Sequence, residues 1–356
     1  VTEAILLVGG LGTRLRPLTE HTPKPMLPVA GVPFVLHQVA RAYAAGVRRI
    51  VLATSYRAEV FTDGLGSALA GMPGLELVYV VEDEPLGTGG AIRHAAEQLA
   101  AGPDDPVVVF NGDVLDGHDL AAQLARHREW QADATLYLTE VEDARAFGSV
   151  PTDFEGRVTA FLEKSPDPIT NQVNAGCYVF RRRVVDEIPA GRPVSVERET
   201  FPGLLEAGRL VLGHLDRAYW TDLGTPDAYI RGSADLVRGL IVPSARPGPP
   251  GEALVLDGAK VHPSARVYGG SSVLAGAVVE ADAVVEGSVV MAGAVIGEGA
   301  SVRASAVGTG AELQRGVRAT GVVVGDSAVV GHDNELRHGA RLQCRVTLPP
   351  GAIRFS

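Results

Sequence analysis

Cysteine is scarce. Only Cys177 and Cys344 occur in 356 residues, far apart and outside any metal-ligand spacing. Two free, buried thiols in a cytoplasmic protein are the expectation from that usage. Long apolar runs are missing as well. No stretch of 18 residues is apolar enough for a spanning helix. The opening Val1-Thr2-Glu3 lacks a basic region and a long apolar core, so no signal peptide is expected. A basic excess is absent too. The formal net charge of -10 argues against a nucleic-acid scaffold, which carries a basic face. It leaves room for a local basic pocket that takes a phosphorylated metabolite. What is present is length for roughly two domains and a 46% hydrophobic composition, enough for sizeable cores.

Residues 1–240 alternate short apolar runs with amphipathic segments. Strands are expected at 4–8, 50–53, 77–81 and 107–110, and helices near 34–44, 58–69, 88–99 and 119–128. Further strands are expected near 134–139, 158–163 and 175–180. Strand and helix in alternation imply right-handed crossovers and a mostly parallel sheet covered on both faces. This predicts an α/β, Rossmann-like domain that binds ligands at the carboxyl ends of its strands. The stretch 243–251 then crowds three prolines and two glycines into its last five residues, which reads as a linker.

After it, apolar residues recur every six positions: Val261, Val267, Val273, Val279 and Val285. The series continues through Val290, Ile296, Val302, Val307, Leu313, Ala319, Val324, Val330, Leu336 and Leu342. Three steps have five residues, beginning at Val285, Val302 and Ala319, and those starts are 17 apart. One short side per three-sided coil is the implied geometry. A hexapeptide repeat signals a parallel β-helix, in which each flat side contributes one inward aliphatic residue to a continuous column.

The first strand runs into Gly9-Gly10-Leu11-Gly12-Thr13-Arg14-Leu15-Arg16-Pro17-Leu18-Thr19. Glycines allow close backbone approach and turn several N–H groups toward one anion. The loop is no Walker A motif, because Gly-Lys-Ser/Thr does not follow. Nor is it the dinucleotide fingerprint, because Leu15 holds the third glycine's place. Its distinguishing features are Arg14 and a second segment, Thr22-Pro23-Lys24-Pro25-Met26, in which two prolines fix the direction of Lys24. A lone cation is usually a solvated surface charge; the combination points to phosphate. The strand at 107–110 delivers Asn111-Gly112-Asp113 at its carboxyl end. Asp113 is either a ligand-binding carboxylate or a turn cap. Asp222, within Tyr219-Trp220-Thr221-Asp222-Leu223-Gly224, sits in an apolar turn where an unpaired charge is costly and a cation is the natural partner.

The glycine loop together with Pro23-Lys24-Pro25 resembles the signature of sugar-1-phosphate nucleotidyltransferases, with the closest likeness to mannose-1-phosphate guanylyltransferases. The likeness covers nearly the whole chain, because many of those enzymes append a left-handed hexapeptide-repeat β-helix. It implies a nucleotidyltransferase domain over 1–240, a linker over 241–256 and the β-helix over 257–356. It also implies that Arg14 contacts the triphosphate, that Lys24 neutralises the reacting phosphates, and that Asp113 and Asp222 bind Mg²⁺ as hard oxygen ligands. Nucleotide contacts would come from Leu7, Gly9, Gly10, Gly12, Thr13, Arg14 and Gly112. A second group would come from Glu82, Glu84, Pro85, Gly87 and Thr88 in a segment that looks like the family's nucleobase loop. Glu82 or Glu84 could accept from guanine N1–H and N2 together. Equally, both acids could be solvated and cap the following helix. On the sugar side the resemblance implies Gly148, Glu163, Lys164, Asn174 and Gly176. One departure stands out: many relatives have proline after the lysine, where this chain has Ser165 before Pro166.

The implied substrates are a nucleoside triphosphate and a sugar 1-phosphate, first GTP and mannose 1-phosphate, with no nucleic-acid or membrane partner. The alternatives are a glucose-1-phosphate enzyme using another triphosphate and a non-catalytic regulatory subunit, which would be expected to lack one of the four key groups. Histidines 262, 332 and 338 raise acyl transfer on the β-helix. No long coil insertion accompanies them, so a structural or oligomerising role is expected there.

Overall fold

The computed structural model describes residues 2–10, 12–54, 58–65, 68–82, 84–242 and 245–355. Leu11 of the glycine loop, Asp83 of the acidic run, residues 66 and 67 of the expected helix 58–69, and Pro243 and Ser244 of the linker lie outside the described residues. The chain divides into two compact units. One comprises residues 1–10 and 38–220, the other 11–37 and 221–356.

The first unit is built on a mixed sheet. Its path runs Leu162–Glu163, Gly148–Ser149, Gln172–Arg181, Pro106–Asn111, Glu3–Leu7, Arg49–Thr54, Glu76–Val81. The last four strands are mutually parallel. Gln172–Arg181 runs antiparallel to Pro106–Asn111 and to Ala134–Glu140, and the latter pairs in parallel with Val211–Leu215. The central run Val107–Phe110 has no exposed member because neighbours and covering layers take both its faces. Helix α1 spans Phe34–Ala44, matching the expected bounds, and α2 spans Ala58–Leu65. Helix α3, Gly87–Ala95, tightens into a 3₁₀ turn at Ala96–Gln98. Helix α4, Leu120–Glu129, starts where the Asp119 side chain accepts from Ala122 N–H. Helices α5 (Arg182–Asp186) and α6 (Phe201–Glu206) complete this unit.

The strand expected at 158–163 forms only at Leu162–Glu163. Its first residues are spent on a turn. Asp153 Oδ1 accepts from the N–H groups of Glu155 and Arg157, and Val158 makes only an isolated bridge with Thr152. An Asx-type turn competes there with the ladder.

In the second unit, helix α7 spans Pro226–Arg238. Thr225 caps it by accepting from Ala228 N–H, and Gly239 closes it in the left-handed region. Beyond it, three parallel sheets of stacked short strands run from Ala253–Val255 to Thr347–Leu348, the arrangement of a left-handed parallel β-helix. The registers Val273↔Val290, Val290↔Val307 and Val307↔Val324 step by the 17 residues seen in the repeat. The next step, Val324↔Leu342, has 18. Two of the three short sides, those from Val285 and Val302, turn at a serine, Ser288 and Ser305, and Ser271 holds the equivalent place one coil earlier. Ser271, Ser288 and Ser305 are fully buried, and each hydroxyl accepts the backbone N–H one coil on, from Ser288, Ser305 and Val322. On one side of the coil the outward residues Ser272, Val289, Ala306 and Val323 are also buried. Helix α7 packs on that side, against Ala253–Val255, Ser271–Val273 and Val289–Val290. No described helix is long and apolar enough to cross a membrane.

Candidate active site

In the first unit, Leu7 and Asn111 are paired at the ends of adjacent parallel strands, so Gly9, Gly10, Gly112 and Asp113 follow at the same edge. Only glycine fits at 112: a Cβ there would stand 2.0 Å from the Leu7 carbonyl oxygen. Asp113 is half-buried, and its loop is braced from α1. Gln38 Nε2 donates to the carbonyls of Asn111 (2.7 Å) and Val114 (2.9 Å), one on each side of Gly112-Asp113. One turn further along α1, buried Arg41 pairs with Asp116 and donates to its carbonyl. Burial would push the Asp116 carboxyl up, but Arg41 and His118 outweigh it and hold it at about 2.

The sugar-side candidates from 174 and 176 lie beside this loop. Asn174 Nδ2 donates to Tyr178 Oη (2.8 Å) and Asn174 Oδ1 accepts from Gly176 N–H (3.1 Å). Asn111 Nδ2 also reaches Tyr178 Oη. The strand is irregular between Asn174 and Tyr178, and Trp220 Nε1 donates to the freed Ala175 carbonyl at 3.0 Å. Gly148 pairs with Glu163 and gives it room, since a Cβ at 148 would lie 2.8 Å from Glu163 Oε2. Burial raises the Glu163 carboxyl; Glu197 adds to this, against Lys164 and Arg198. Lys164 is exposed and holds a left-handed backbone at φ 52°. Such strain in a non-glycine residue is maintained only by its surroundings.

The segment around α3 is clasped by residues 194–199. Gly87 has φ 68°, and a Cβ on it would meet the Val194 carbonyl at 2.7 Å. Thr88 Oγ1 donates to Glu197 Oε2 (2.8 Å) and accepts from Val196 N–H (2.9 Å). Glu82 Oε2 accepts from Leu86 N–H at 3.2 Å, at the entry to α3. Burial raises the Glu82 carboxyl, opposed by that N–H and by His94. Glu84 and Pro85 are exposed. Glu197 escaped the sequence reading. Its only signal was Ser195 two residues before it, a residue type that caps helix starts, as Ser195 does here by accepting from Arg198 N–H.

In the second unit, Gly12 takes the left-handed conformation before a 3₁₀ turn at Thr13–Leu15, and Thr19 Oγ1 donates to its carbonyl. Lys24 opens a second 3₁₀ turn and is only 7% exposed. Its Nζ lies 3.9 Å from Asp222 Oδ1. Arg14 reaches the same place: a Cβ at Gly224 would stand 2.7 Å from Arg14 Nη2 and 2.8 Å from Asp222 Oδ1. Arg14, Lys24 and Asp222 therefore converge at Gly224. The cations and the carboxylate offset one another, and Lys24 is buried with its counter-charge at hand. Among the described residues no group of three or more His, Cys, Asp or Glu could cage a metal. Half-exposed carboxylates such as Asp113 and Asp222 suit a cation that completes its shell with phosphate oxygens and water.

The family model for nucleotidyl transferases matches residues 3–239. A mannose-1-phosphate guanylyltransferase of Mycobacterium tuberculosis is 56% identical over 266 residues, 74% of this chain and 72% of that protein. The catalytic subunit beta of the mannose-1-phosphate guanylyltransferase of Drosophila pseudoobscura pseudoobscura is 38% identical, covering 65% of this chain and 61% of that protein. A crystal structure of a putative glucose-1-phosphate thymidylyltransferase from Bacillus anthracis has the same fold. Its TM-score is 0.60 at 23% identity, over 70% of this chain and 97% of its own length.

Proposed function

The chain belongs to the nucleotidyl transferase family, and from that premise we propose that it makes GDP-mannose and pyrophosphate from GTP and mannose 1-phosphate. The observation that carries the choice of base and sugar is the 56% identity to the mycobacterial mannose-1-phosphate guanylyltransferase. For the chemistry, the convergence of Arg14, Lys24 and Asp222 supports the reading.

The sugar phosphate oxygen is already anionic, so the reaction needs no general base. It attacks the α-phosphorus in line, a new P–O bond forms, and the bond to the β-phosphate oxygen breaks with its electron pair leaving on pyrophosphate. Catalysis is then positioning and charge neutralisation. We assign Lys24 to the charge growing at the α-phosphate and Arg14 to the departing pyrophosphate. Glycines 9, 10, 12 and 112, with Leu7 and Thr13, would let the backbone approach the nucleotide. Glu82, Glu84, Pro85, Gly87 and Thr88 would line the base. Gly148, Glu163, Lys164, Asn174 and Gly176 would take the sugar phosphate. A divalent cation, in our reading Mg²⁺ held by Asp113 and Asp222, would supply charge neutralisation on the α- and β-phosphates when bound. We place the chemistry in residues 1–240, a linker in 241–256, and a docking role, through which copies associate, in 257–356.

The test is pyrophosphate release with Mg²⁺, one triphosphate at a time, against a panel of sugar 1-phosphates. Fastest release with GTP and mannose 1-phosphate is expected. Faster release with another pair would overturn the pocket assignment, and no release from folded protein with any pair would overturn the reaction.

A further inference from the structure

One arginine of the β-helix ends on the glycine loop. Arg341 Nη1 donates to the carbonyl oxygens of Arg14 (2.8 Å) and Arg16 (3.1 Å). Three residues on, Cys344 Sγ donates to the Pro17 carbonyl at 3.6 Å. The loop's own turn uses other carbonyls. Gly12, Thr13 and Leu15 accept from the N–H groups of Leu15, Arg16 and Leu18. Arg341 thus grips the carbonyls on either side of Leu15. Its place in the coil is telling. The registers carry one outward column from Ser272 through Val289, Ala306 and Val323 to Arg341. Every earlier member is small or apolar and buried; the last is a guanidinium.

We propose that Arg341 is a positioning residue for the nucleotidyl transfer reaction: by holding the Arg14 and Arg16 carbonyls, the last coils of the β-helix fix the backbone that aims Arg14 at the phosphate chain. The inference rests on the function proposed above, because it gives the aimed guanidinium its task. A charged donor shared by two carbonyls restrains the turn on both sides of Leu15, and the planar guanidinium does so with little loss of freedom. Lysine would offer a point charge without the fork. Arg14 is assigned to pyrophosphate, so loosening its backbone weakens that half of the site and spares the sugar side, which lies on other segments.

The test runs the reaction backward with the full chain. Wild type is compared with Arg341→Ala, Arg341→Lys and, as a control from the same coil, Arg337→Ala. Arg337 pairs with Glu335 and stacks on Phe355, away from the loop. Arg341→Ala is expected to raise the KM for pyrophosphate about tenfold, the effect of one charged hydrogen bond, and to raise the KM for the nucleotide sugar, whose nucleotide half alone meets this turn, severalfold less. Arg341→Lys should recover part of the loss, and Arg337→Ala should match wild type. Amide hydrogen exchange at Leu15, Arg16 and Leu18 should quicken in Arg341→Ala at an unchanged melting temperature. Equal changes in both KM values, no change in either, or a loss matched by a fall in melting temperature would each overturn the proposal. A wild type inactive with every nucleotide sugar would overturn the proposed function itself, and this inference with it.

Discussion

At the scale of single residues, Gln38 shows how a buried polar side chain sets the placement of a catalytic candidate. Its amide nitrogen spans the two carbonyls that flank Gly112-Asp113, and it is only 4% exposed. Leucine at 38 would keep the volume and leave both carbonyls with a lost donor. The expected cost is about 2 kcal/mol of stability. If Asp113 binds the cation, the half-saturating Mg²⁺ concentration should also rise several-fold; a titration of activity against Mg²⁺ in Gln38→Leu checks this. Lys24 makes a complementary case. It is buried against Asp222, so Lys24→Met should lower kcat by about two orders of magnitude, as for loss of one preorganised charge donor. Steady-state kinetics at saturating substrates decide it, and a kcat within threefold of wild type would sink the assignment. The two acids proposed to line the base separate by environment. Glu82 is half-buried and bound to Leu86 N–H, whereas Glu84 is exposed. Glu82→Gln should therefore shift the ranking of GTP over ATP more than Glu84→Gln. An unchanged ranking in both would remove the carboxylate from base selection.

At the scale of elements, the serine turns of the β-helix carry a testable load. Ser288 lies where the side is one residue short, and its hydroxyl takes the N–H of Ser305 while donating to the Glu286 carbonyl. Ser288→Ala orphans a buried N–H and should cost about 1–3 kcal/mol. Thermal melting would report it, with pyrophosphate release unaltered at 25 °C. This element was legible beforehand, because one inward residue per side leaves its period in the sequence whatever the neighbours do. The core strands were legible for a similar reason: a run such as Val107–Phe110 is apolar throughout because both faces are covered. Helix α1 was read to the residue because its apolar positions repeat on one face. Legibility failed where side chains, rather than period, decide the backbone. Asp153 turns the chain and shortens the expected strand at 158–163. The same holds in the site. Glycines 9, 10, 12 and 112 and Lys24 carry their meaning in residue type, and the two prolines announce Lys24. Gln38, Glu197 and Arg341 act through bonds to distant backbone or side chains, and nothing in their local sequence marks the partner.

At the scale of the whole molecule, each compact unit buries a histidine that the fold keeps neutral. In one, His37 Nδ1 accepts from Ala245 N–H, so Nε2 carries the proton and donates to the Val29 carbonyl. A second ring proton would face the Ala245 N–H. Burial lowers its pKa to about 4; the Val29 bond works against the shift and Arg246 reinforces it. In the other, burial lowers His127 to about 4, with Arg181 and Arg128 adding and Asp133 opposing. In the unfolded chain both take a proton near pH 6.5. Between pH 6.5 and 4 the unfolded chain therefore binds more protons than the fold, and stability rises with pH there. It is complete above 6.5 and drains as pH falls toward 4, by about 3 kcal/mol for each histidine. Asp116 behaves differently. Its carboxyl is held at about 2, so its contribution persists through that window and is lost only as pH drops through 3.8 toward 2. Denaturant unfolding at a series of pH values should show both units weakening together between 6.5 and 4. His127→Gln keeps a polar group beside Thr135 Oγ1, the present partner of Nδ1 at 2.9 Å, but cannot titrate. It should flatten the pH slope by one proton in the unit formed by residues 1–10 and 38–220 and leave the slope of the other unit intact. A slope unchanged in both units would mean that His127 takes up its proton in the fold as readily as outside it, and that the acid sensitivity of that unit lies in its carboxylates.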